Sequence, residues 1–193
     1  FARIYQSFLK MNECIESNNI GSNAVFNYCL KNKVNSLKHD FIFEYVDYSN
    51  YLKEILKNFA KGFVFFIDYG HAESEYFNLN RSNGSFRFFH QHKLVDSPFD
   101  NISNQDITAD VNFSDLYNLF YKSAFDLHLF TNQREMIVKT LNISNELSNN
   151  DRVRLNTLIH PNEMGEKFKV MIFGKGMEPI SFFNKFKDLS YQL

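Results

Sequence analysis

The pattern of apolar and polar positions predicts a mixed α/β chain. Residues 1–9 alternate loosely, as a strand does, and residues 41–44 form a short apolar strand candidate. Between them, the polar, Asn-rich residues 12–40 indicate an irregular excursion or a strand pair. From residue 48 the apolar side chains return at helical spacing, and Gly62 follows where a helix stop is expected. The apolar helix face consists of Tyr51, Leu52, Ile55, Leu56 and Phe59.

An unbroken apolar run at residues 63–67 stands out from the rest of the chain. It reads Phe-Val-Phe-Phe-Ile, follows Gly62 and ends at Asp68-Tyr69-Gly70. Because it is apolar on both faces, it predicts a central strand of a sheet that helices cover. Ligands of open α/β sheets bind beyond the carboxyl ends of the strands, which makes Asp68 a candidate for chemistry.

Helices and strands alternate in the second half of the chain. The turn sequence Ser82-Asn83-Gly84 predicts a hairpin closed before a strand at residues 85–89. Three helices are predicted: the first covers roughly residues 113–122, the second ends at about residue 141, and the third ends before Pro161. Their candidate caps are Asp110 or Asn112, Thr131 or Asn132, and Asn145 or Ser148. The third helix should turn Val153, Leu155, Leu158 and Ile159 inward.

The two later strands differ from the run at residues 63–67. One is predicted at residues 127–130, and the other at residues 167–173, where apolar positions alternate with lysines and a methionine. Gly174-Lys175-Gly176 should then turn, and residues 180–193 should form a last helix. The order of elements is α/β. A late alternating strand in such an order is typical of an antiparallel strand added to a parallel sheet.

Composition and charge narrow the class of protein. The 193 residues suffice for one domain with a core, and the net charge of −1 with a pI of about 6.7 does not suggest nucleic acid or an anionic membrane as partner. No apolar run approaches the roughly 20 residues of a membrane span. Cys14 and Cys29 lack a CxxC spacing, so reduced thiols are favoured over a disulfide. The sequence begins at Phe1 in mid-pattern, which indicates a fragment, a processed product or the ordered part of something longer.

The segment Asp68-Tyr69-Gly70 is the best local candidate for a functional site. An acidic residue after a buried strand can orient a ligand or accept a proton, and glycine lets another backbone or a substrate approach. The structural alternative is an aspartate that caps a turn, and the residues alone do not separate the two.

His90-Gln91-His92 would place two imidazoles on one side of a strand, as in a metal pair. Zinc needs three or four ligands, and neither HExxH nor CxxC supplies the others, so ordinary polar histidines are favoured. His90 remains a candidate active-site hydrogen-bonding residue. The remaining histidines are His39, His71, His128 and His160.

Asp106, Thr108 and Asp110 alternate just before the first predicted helix of the second half. They could face the same cleft as Asp68, but capping and turn formation select the same residue types and are favoured locally. The later Met-Gly-Glu-Lys-Phe-Lys-Val at residues 164–170 is interpreted as a structural exit from a helix into a strand. GxSxG, Walker and GxGxxG motifs are absent from the sequence, and the cysteines lack a paired base.

Taken together, the motifs resemble the MidA family of S-adenosylmethionine (SAM)-dependent methyltransferases. That family's pattern runs from an apolar strand and D-Y-G, through G-T-L-R and a His, D-I-T-A-x-V-D-F and T-Q, to P-x-x-M-G-E-x-F-K-V. The corresponding segments here are residues 63–70, 84–90, 106–113, 131–133 and 161–170. Asn112 and Ser85 replace the family's Asp and Thr, and Asn132 interrupts the Thr-Gln pair.

The resemblance implies the C-terminal half of a class I, seven-stranded Rossmann-like methyltransferase domain at residues 41–193. The runs at residues 63–67, 127–130 and 167–173 would be its fifth, sixth and antiparallel seventh strands, and residues 1–40 an accessory segment. The cofactor would be SAM, held mostly by a glycine-rich loop upstream of these residues, so the cofactor-binding residues stay unknown. A fragment of this kind should be poorly stable or self-associate, because sheet edges and apolar faces stay uncovered.

The resemblance also implies a site and a substrate. Asp68, Tyr69, His90, Asp106 and Thr108 would line the cleft where methyl donor and acceptor meet. The acceptor would be a protein arginine, for which Asp68, Asp106 or Asp110 could hold the guanidinium.

Partner and compartment follow from the same resemblance. A respiratory complex I subunit is one candidate substrate, and a homo-oligomer is another association to consider. The family implies the bacterial cytoplasm or the mitochondrial matrix. The alternatives are a non-catalytic assembly or scaffold factor and, less favoured, a histidine-metal hydrolase.

Overall fold

A computed structural model describes residues 3–9, 41–47, 49–76, 78–81, 84–97, 99, 101–141 and 147–193. Within these ranges the strands are β1 Arg3–Leu9, β2 Phe41–Asp47, β3 Gly62–His71, β4 Arg87–His90, β5 Lys93–Val95, β6 Asp106–Thr108, β7 Val111–Asn112, β8 Asp126–Asn132 and β9 Phe168–Lys175. The α-helices are α1 Ser49–Lys57, α2 Glu73–Tyr76, α3 Phe113–Lys122, α4 Gln133–Thr140 and α5 Asn149–Ile159. The predicted α/β class is confirmed. The cysteines, the whole segment at residues 12–40, and Ser82-Asn83 lie outside the described residues.

The chain divides into two compact units, residues 1–52 with 75–110 and residues 53–74 with 111–193. We call the first the arm unit and the second the sheet unit. In the arm unit, β1 pairs with β2 in an antiparallel register, and β4 lies between β5 and β6, antiparallel to both.

The sheet unit contains a four-stranded sheet in the order β7-β3-β9-β8. β9 runs antiparallel to both β3 and β8, so those two strands run parallel to each other. β7 pairs with β3 in parallel, at Gly70 and His71. The antiparallel character predicted for the last strand is therefore confirmed.

Side-chain caps explain why the helices begin where they do. The Asn112 side chain accepts hydrogen bonds from the Ser114 and Asp115 amides at the start of α3, at 3.1 and 3.2 Å. Asn132 accepts from Glu135 N at 2.8 Å to start α4, and Ser148 caps α5 through Asp151 N. Each cap satisfies backbone donors that have no partner within the helix. In each predicted pair of candidates, the second residue is the cap.

β9 forms the centre of the core of the sheet unit. Val170, Met171, Ile172 and Phe173 are all 0–1% exposed. On one face the Phe173 ring stacks on Phe120 of α3, with centroids 4.3 Å apart. β9 is buried on both faces because it has a strand on each side and a helical layer on each face.

β3 is less buried than its unbroken apolar sequence predicts. Phe65 is 55% and Ile67 is 57% exposed, both on the face where β9 carries Ile172 and Val170. On the other face, Phe66 packs edge-to-face on Phe120 at 5.1 Å. The prediction of full coverage by helices was wrong for one face of this strand.

The C-terminal segment covers the outer edge of β8, in place of the single predicted helix. Two short 3₁₀ turns at Ser181–Lys185 and Ser190–Gln192 flank residues 186–189, which we call the strap. Leu189 N donates to Phe130 O at 2.7 Å, and Thr131 Oγ1 donates to Lys187 O at 2.8 Å. Phe186 packs against the core cluster that contains Leu129, Val170 and Ile172. The strap thereby removes an unpaired edge.

Glu135 and Lys139 of α4 hold the strap from the side. Glu135 Oε1 accepts from Lys187 N at 2.9 Å and pairs with the Lys139 ammonium at 2.6 Å. Lys139 Nζ also donates to Lys185 O at 2.7 Å. The bond from Lys139 lowers the pKa of Glu135 from its ordinary value of 4.5, against the opposing effect of burial.

Three smaller predictions were also wrong. Gly174 and Lys175 continue β9, so the turn comes later, at Gly176, where φ is +59°. Gly62 begins β3 rather than ending α1, which stops at Lys57. On α5, Val153 is 69% and Leu158 is 37% exposed, so these side chains do not turn inward. A hairpin turn lies at residues 91–92, between β4 and β5, whereas the predicted turn at residues 82–84 falls mostly outside the described residues.

Candidate functional site

A row of polar residues crosses the sheet unit at the carboxyl ends of β3 and β8. Asp68 of β3 lies directly opposite Lys169 of β9, and Lys169 lies opposite Asn132 of β8. Directly opposed residues share a face of the sheet, with Cβ atoms roughly 5 Å apart. The row therefore occupies the edge where open α/β sheets bind their ligands.

Asp68 is the exposed acidic member of this row. Its Oδ1 accepts a hydrogen bond from Tyr69 N at 2.8 Å, and Lys169 Nζ donates to Glu166 O. Lys169 was missed because the segment at residues 164–170 was interpreted as purely structural. Its position opposite Asp68 depends on the strand register, for which the sequence carries no direct signal.

Tyr69 and Gly70 have structural roles in the sheet. Because β3 continues to His71, Tyr69 points to the opposite face, where its ring packs edge-to-face on Phe168 at 5.4 Å. A Cβ on Gly70 would lie 2.2 Å from Val111 O, so only glycine permits β7 to approach. The predicted close approach at this glycine is confirmed, and the neighbour is backbone.

The start of α3 lies at the carboxyl end of β3, because Asn112 pairs with His71. The Asn112 cap is buried, and Ser114 Oγ accepts from Glu73 N at 2.9 Å, which ties the loop after β3 to the helix. The capping interpretation is thus confirmed for Asn112 but not for Asp110.

Asp106 and Thr108 lie on β6 of the arm unit. Thr108 is opposite Arg87 of β4, and Asp106 is opposite Phe89, so all four side chains share one face. Asp106 is exposed, and the Thr108 hydroxyl donates to its Oδ2 at 3.4 Å. That Asp106 and Thr108 face the same cleft as Asp68 stays a prediction.

Asp110 is 6% exposed and faces two cations. Its Oδ1 lies 2.9 Å from Arg87 Nη2, and its Oδ2 lies 3.3 Å from Arg81 Nη1. Both carboxylate oxygens are therefore used by guanidinium groups of the chain itself.

His90 ends β4 and does not form a metal pair with His92. Its Nδ1 lies 2.7 Å from Asn104 O. Gln91 and His92 have φ values of 49° and 63°, as a two-residue type I′ hairpin requires, so His90 and His92 are not alternate residues of one strand. Within the described ranges, no three His, Cys, Asp or Glu side chains are grouped to hold a metal ion.

The six candidate residues thus fall into two sets. Asp68 and Tyr69 belong to the sheet unit, on opposite faces of β3. His90, Asp106, Thr108 and Asp110 belong to the arm unit. There Asp106 and Thr108 contact each other, while His90 and Asp110 have other partners.

Sequence comparison identifies the family. Residues 13–131, more than half of the chain, match the family described as "Putative S-adenosyl-L-methionine-dependent methyltransferase". The chain belongs to this family. Among curated proteins, none has a sequence that matches.

Two solved structures from Burkholderia thailandensis are similar to this chain in fold. One, an uncharacterized superfamily protein, is 26% identical, with a TM-score of 0.72 over 83% of this chain and 46% of its own length. The other is a superfamily member bound to S-adenosyl-homocysteine (SAH), 28% identical, with a TM-score of 0.70 over 79% of this chain and 42% of its own. The chain thus spans less than half the length of either protein.

Among the helices in the described part of the chain, none has the length and apolar character needed to cross a membrane.

Proposed function

We propose that the protein containing this chain transfers a methyl group from SAM to an acceptor. The observation that carries the proposal is that a relative 28% identical to the chain, with the same fold over 79% of it, binds SAH, the product that SAM leaves after methyl transfer. Membership of the family supports the same reaction class.

The finer assignment that we propose is to the MidA family, with residues 41–193 as the C-terminal half of its domain. In a seven-stranded sheet, β3, β8 and β9 would be the fifth, sixth and seventh strands. The antiparallel position of β9 between two mutually parallel strands supports this assignment. So does the exposure of Phe65 and Ile67, which would receive a covering layer from the part of the fold that the chain does not span.

The residues at the carboxyl end of β3 fit a cofactor of this chemistry. SAM, when bound, supplies a methyl group on a positively charged sulfur. The exposed carboxylate of Asp68 can accept hydrogen bonds from hydroxyl or amino groups and is attracted to positive charge. Lys169, opposite it, supplies a donor on the same face.

The acceptor we propose is a protein arginine, and a respiratory complex I subunit is the candidate partner. A guanidinium is bound best by carboxylates, through paired hydrogen bonds. Asp68 and Asp106 are exposed carboxylates, whereas both oxygens of Asp110 already contact Arg81 and Arg87. As the acceptor nitrogen gains a carbon bond, it must lose a proton, which an adjacent carboxylate or water would take.

His90 and Thr108 of the arm unit are proposed to contact the acceptor, and Tyr69 is proposed to position β3 through its packing on Phe168. Thr108 and Asp106 share a face and a hydrogen bond, so Thr108 would orient the carboxylate. The contribution required of such residues is in-line placement of acceptor and sulfonium, more than strong base catalysis. Compartments consistent with the proposal are the bacterial cytoplasm and the mitochondrial matrix.

A non-catalytic assembly or scaffold factor is the second candidate function. The observation that favours it is that Asp110 and His90 have partners within the chain, at 2.9 Å and 2.7 Å, that suit a structural role. A scaffold that has lost the cofactor would bind no SAH.

Asp68→Asn and Asp106→Asn separate the two functions. In the protein as it is made in the cell, we expect each change to lower methyl transfer from radiolabelled SAM by about 100-fold, because carboxylate charge is lost without a change in shape. Asp151→Asn, on the exposed surface of α5, is the matched control and should retain activity. Wild-type transfer in both Asp variants would contradict the proposed roles.

A further inference from the structure

Arg81, Arg87 and Asp110 form a charged cluster in the arm unit. Asp110 Oδ2 lies 3.3 Å from Arg81 Nη1, and Oδ1 lies 2.9 Å from Arg87 Nη2. Each oxygen of one carboxylate therefore fixes one guanidinium, which sets the spacing between the two cations. Arg87 is held further by its place on β4.

The backbone of Asp110 is tied on both sides. Its amide donates to Ser85 Oγ at 3.4 Å, and its carbonyl accepts from the Tyr76 hydroxyl at 3.4 Å. These long contacts add little energy singly, but they connect Asp110 to α2 and to the segment that leads into β4. The carboxylate is thus a positioned group.

Burial differs sharply across the cluster. Asp110 is 6% exposed, whereas the side chains of Arg81 and Arg87 are 33% and 42% exposed. The anionic member therefore lies behind, and the two cationic members extend toward solvent.

We propose that Arg81 and Arg87 bind an oxyanion, the carboxylate or phosphate group of a ligand, with Asp110 as the positioning residue behind them. Guanidinium groups match the oxygen spacing of both anions and bind them in a fork geometry that lysine cannot reproduce. Holding two guanidiniums in place beforehand lowers the entropy lost when the anion binds.

The test is a titration of the purified protein with sodium phosphate and, separately, with sodium acetate at constant ionic strength. Backbone amide chemical shifts of the arm unit report binding. We expect saturable shifts, with a dissociation constant raised tenfold or more, about 1.4 kcal/mol, by Arg81→Gln. Arg154→Gln removes the same charge from an 81% exposed side chain on α5 and should change nothing.

Arg81→Lys keeps the positive charge, so it should disturb the fold less than Arg81→Gln. It should weaken binding by about threefold to fivefold, because the fork is lost and the charge is not. Tighter binding of phosphate than acetate would assign a phosphate ligand, and the reverse a carboxylate ligand. Shifts that do not saturate by roughly 50 mM, or an equal loss in Arg154→Gln, would overturn the proposal.

Discussion

β9 and β3 are neighbouring strands of one sheet, yet their burial is the reverse of what their sequences predict. β9 alternates apolar and basic residues at its start and is buried on both faces from Val170 to Phe173. β3 is apolar without interruption and leaves Phe65 and Ile67 more than half exposed. Local pattern reports what a strand can bury, whereas burial depends on which neighbours are present.

β8 and β3 lie on either side of β9, and their outer edges also differ. The strap covers β8, with hydrogen bonds to Phe130 and Thr131. β3, among the described residues, has a partner on its corresponding edge at Gly70 and His71, where β7 pairs in parallel. An edge that carries apolar side chains favours association with another strand.

Truncating a phenylalanine on β9 and one on β3 should show the difference in burial between the two strands most clearly. Phe173→Ala removes a fully buried ring stacked at 4.3 Å on Phe120 and should lower the free energy of unfolding by about 3–5 kcal/mol. Phe65→Ala, at a site 55% exposed, should cost less than about 1 kcal/mol. Urea denaturation measures both, and equal losses would contradict the assigned difference in burial.

Loss of the strap anchor should have the next largest effect. Phe186 is 6% exposed and covers the cluster of Leu129, Val170 and Ile172. Phe186→Ala should lower the free energy of unfolding by about 2–4 kcal/mol and expose the edge of β8. The neighbouring Phe182, at 45% exposure, supplies the control Phe182→Ala. Self-association that appears in the first variant and not in the second would support edge protection; no difference would refute it.

Charge on the open face of β3 should change association more than stability. Phe65→Lys with Ile67→Lys places cations where both side chains are exposed, so unfolding should shift by less than about 1 kcal/mol. If this face binds an apolar layer, the double variant of the isolated chain should be more monomeric by light scattering. Unchanged association would show that other surfaces drive it.

Glu135 gives the smallest and most selective effect. Its pKa is lowered in the fold, first by the bond from Lys139, so its contribution is present above the ordinary value of 4.5 and is lost as pH falls through the lowered folded value. Glu135→Gln should therefore cost about 0.5–1 kcal/mol near neutral pH and nothing in strong acid. Denaturation midpoints across that pH range measure it, and a pH-independent cost would contradict the assignment.

Sequence reasoning located most elements of the fold because caps and periodicity are local. Helix α3 and the first turn of α4 begin where Asn112 and Asn132 can cap them, close to the predicted limits. What it missed depends on distant partners. The position of Lys169 opposite Asp68, the burial of β9 and the strap all require strand order and register, which short-range patterns do not encode.

The features of the candidate site also differ in whether local sequence spacing predicts them. The common face of Asp106 and Thr108 follows from their spacing, and it is observed. The engagement of Asp110 with Arg81 and Arg87 joins segments more than 20 residues apart, so no spacing rule predicts it. The exposed Asp68 at the carboxyl end of β3 agrees with the strand prediction, whereas Tyr69 faces away from it.

Calorimetric titration of the protein, as it is made in the cell, with SAH tests the central claim most directly. The proposed methyltransferase function predicts saturable binding of about one equivalent of SAH per chain, as expected for one cofactor site. Adenosine alone should bind more weakly, because it lacks the amino-acid half of the ligand. Absence of SAH binding by a protein that unfolds cooperatively would contradict the claim and favour the scaffold function.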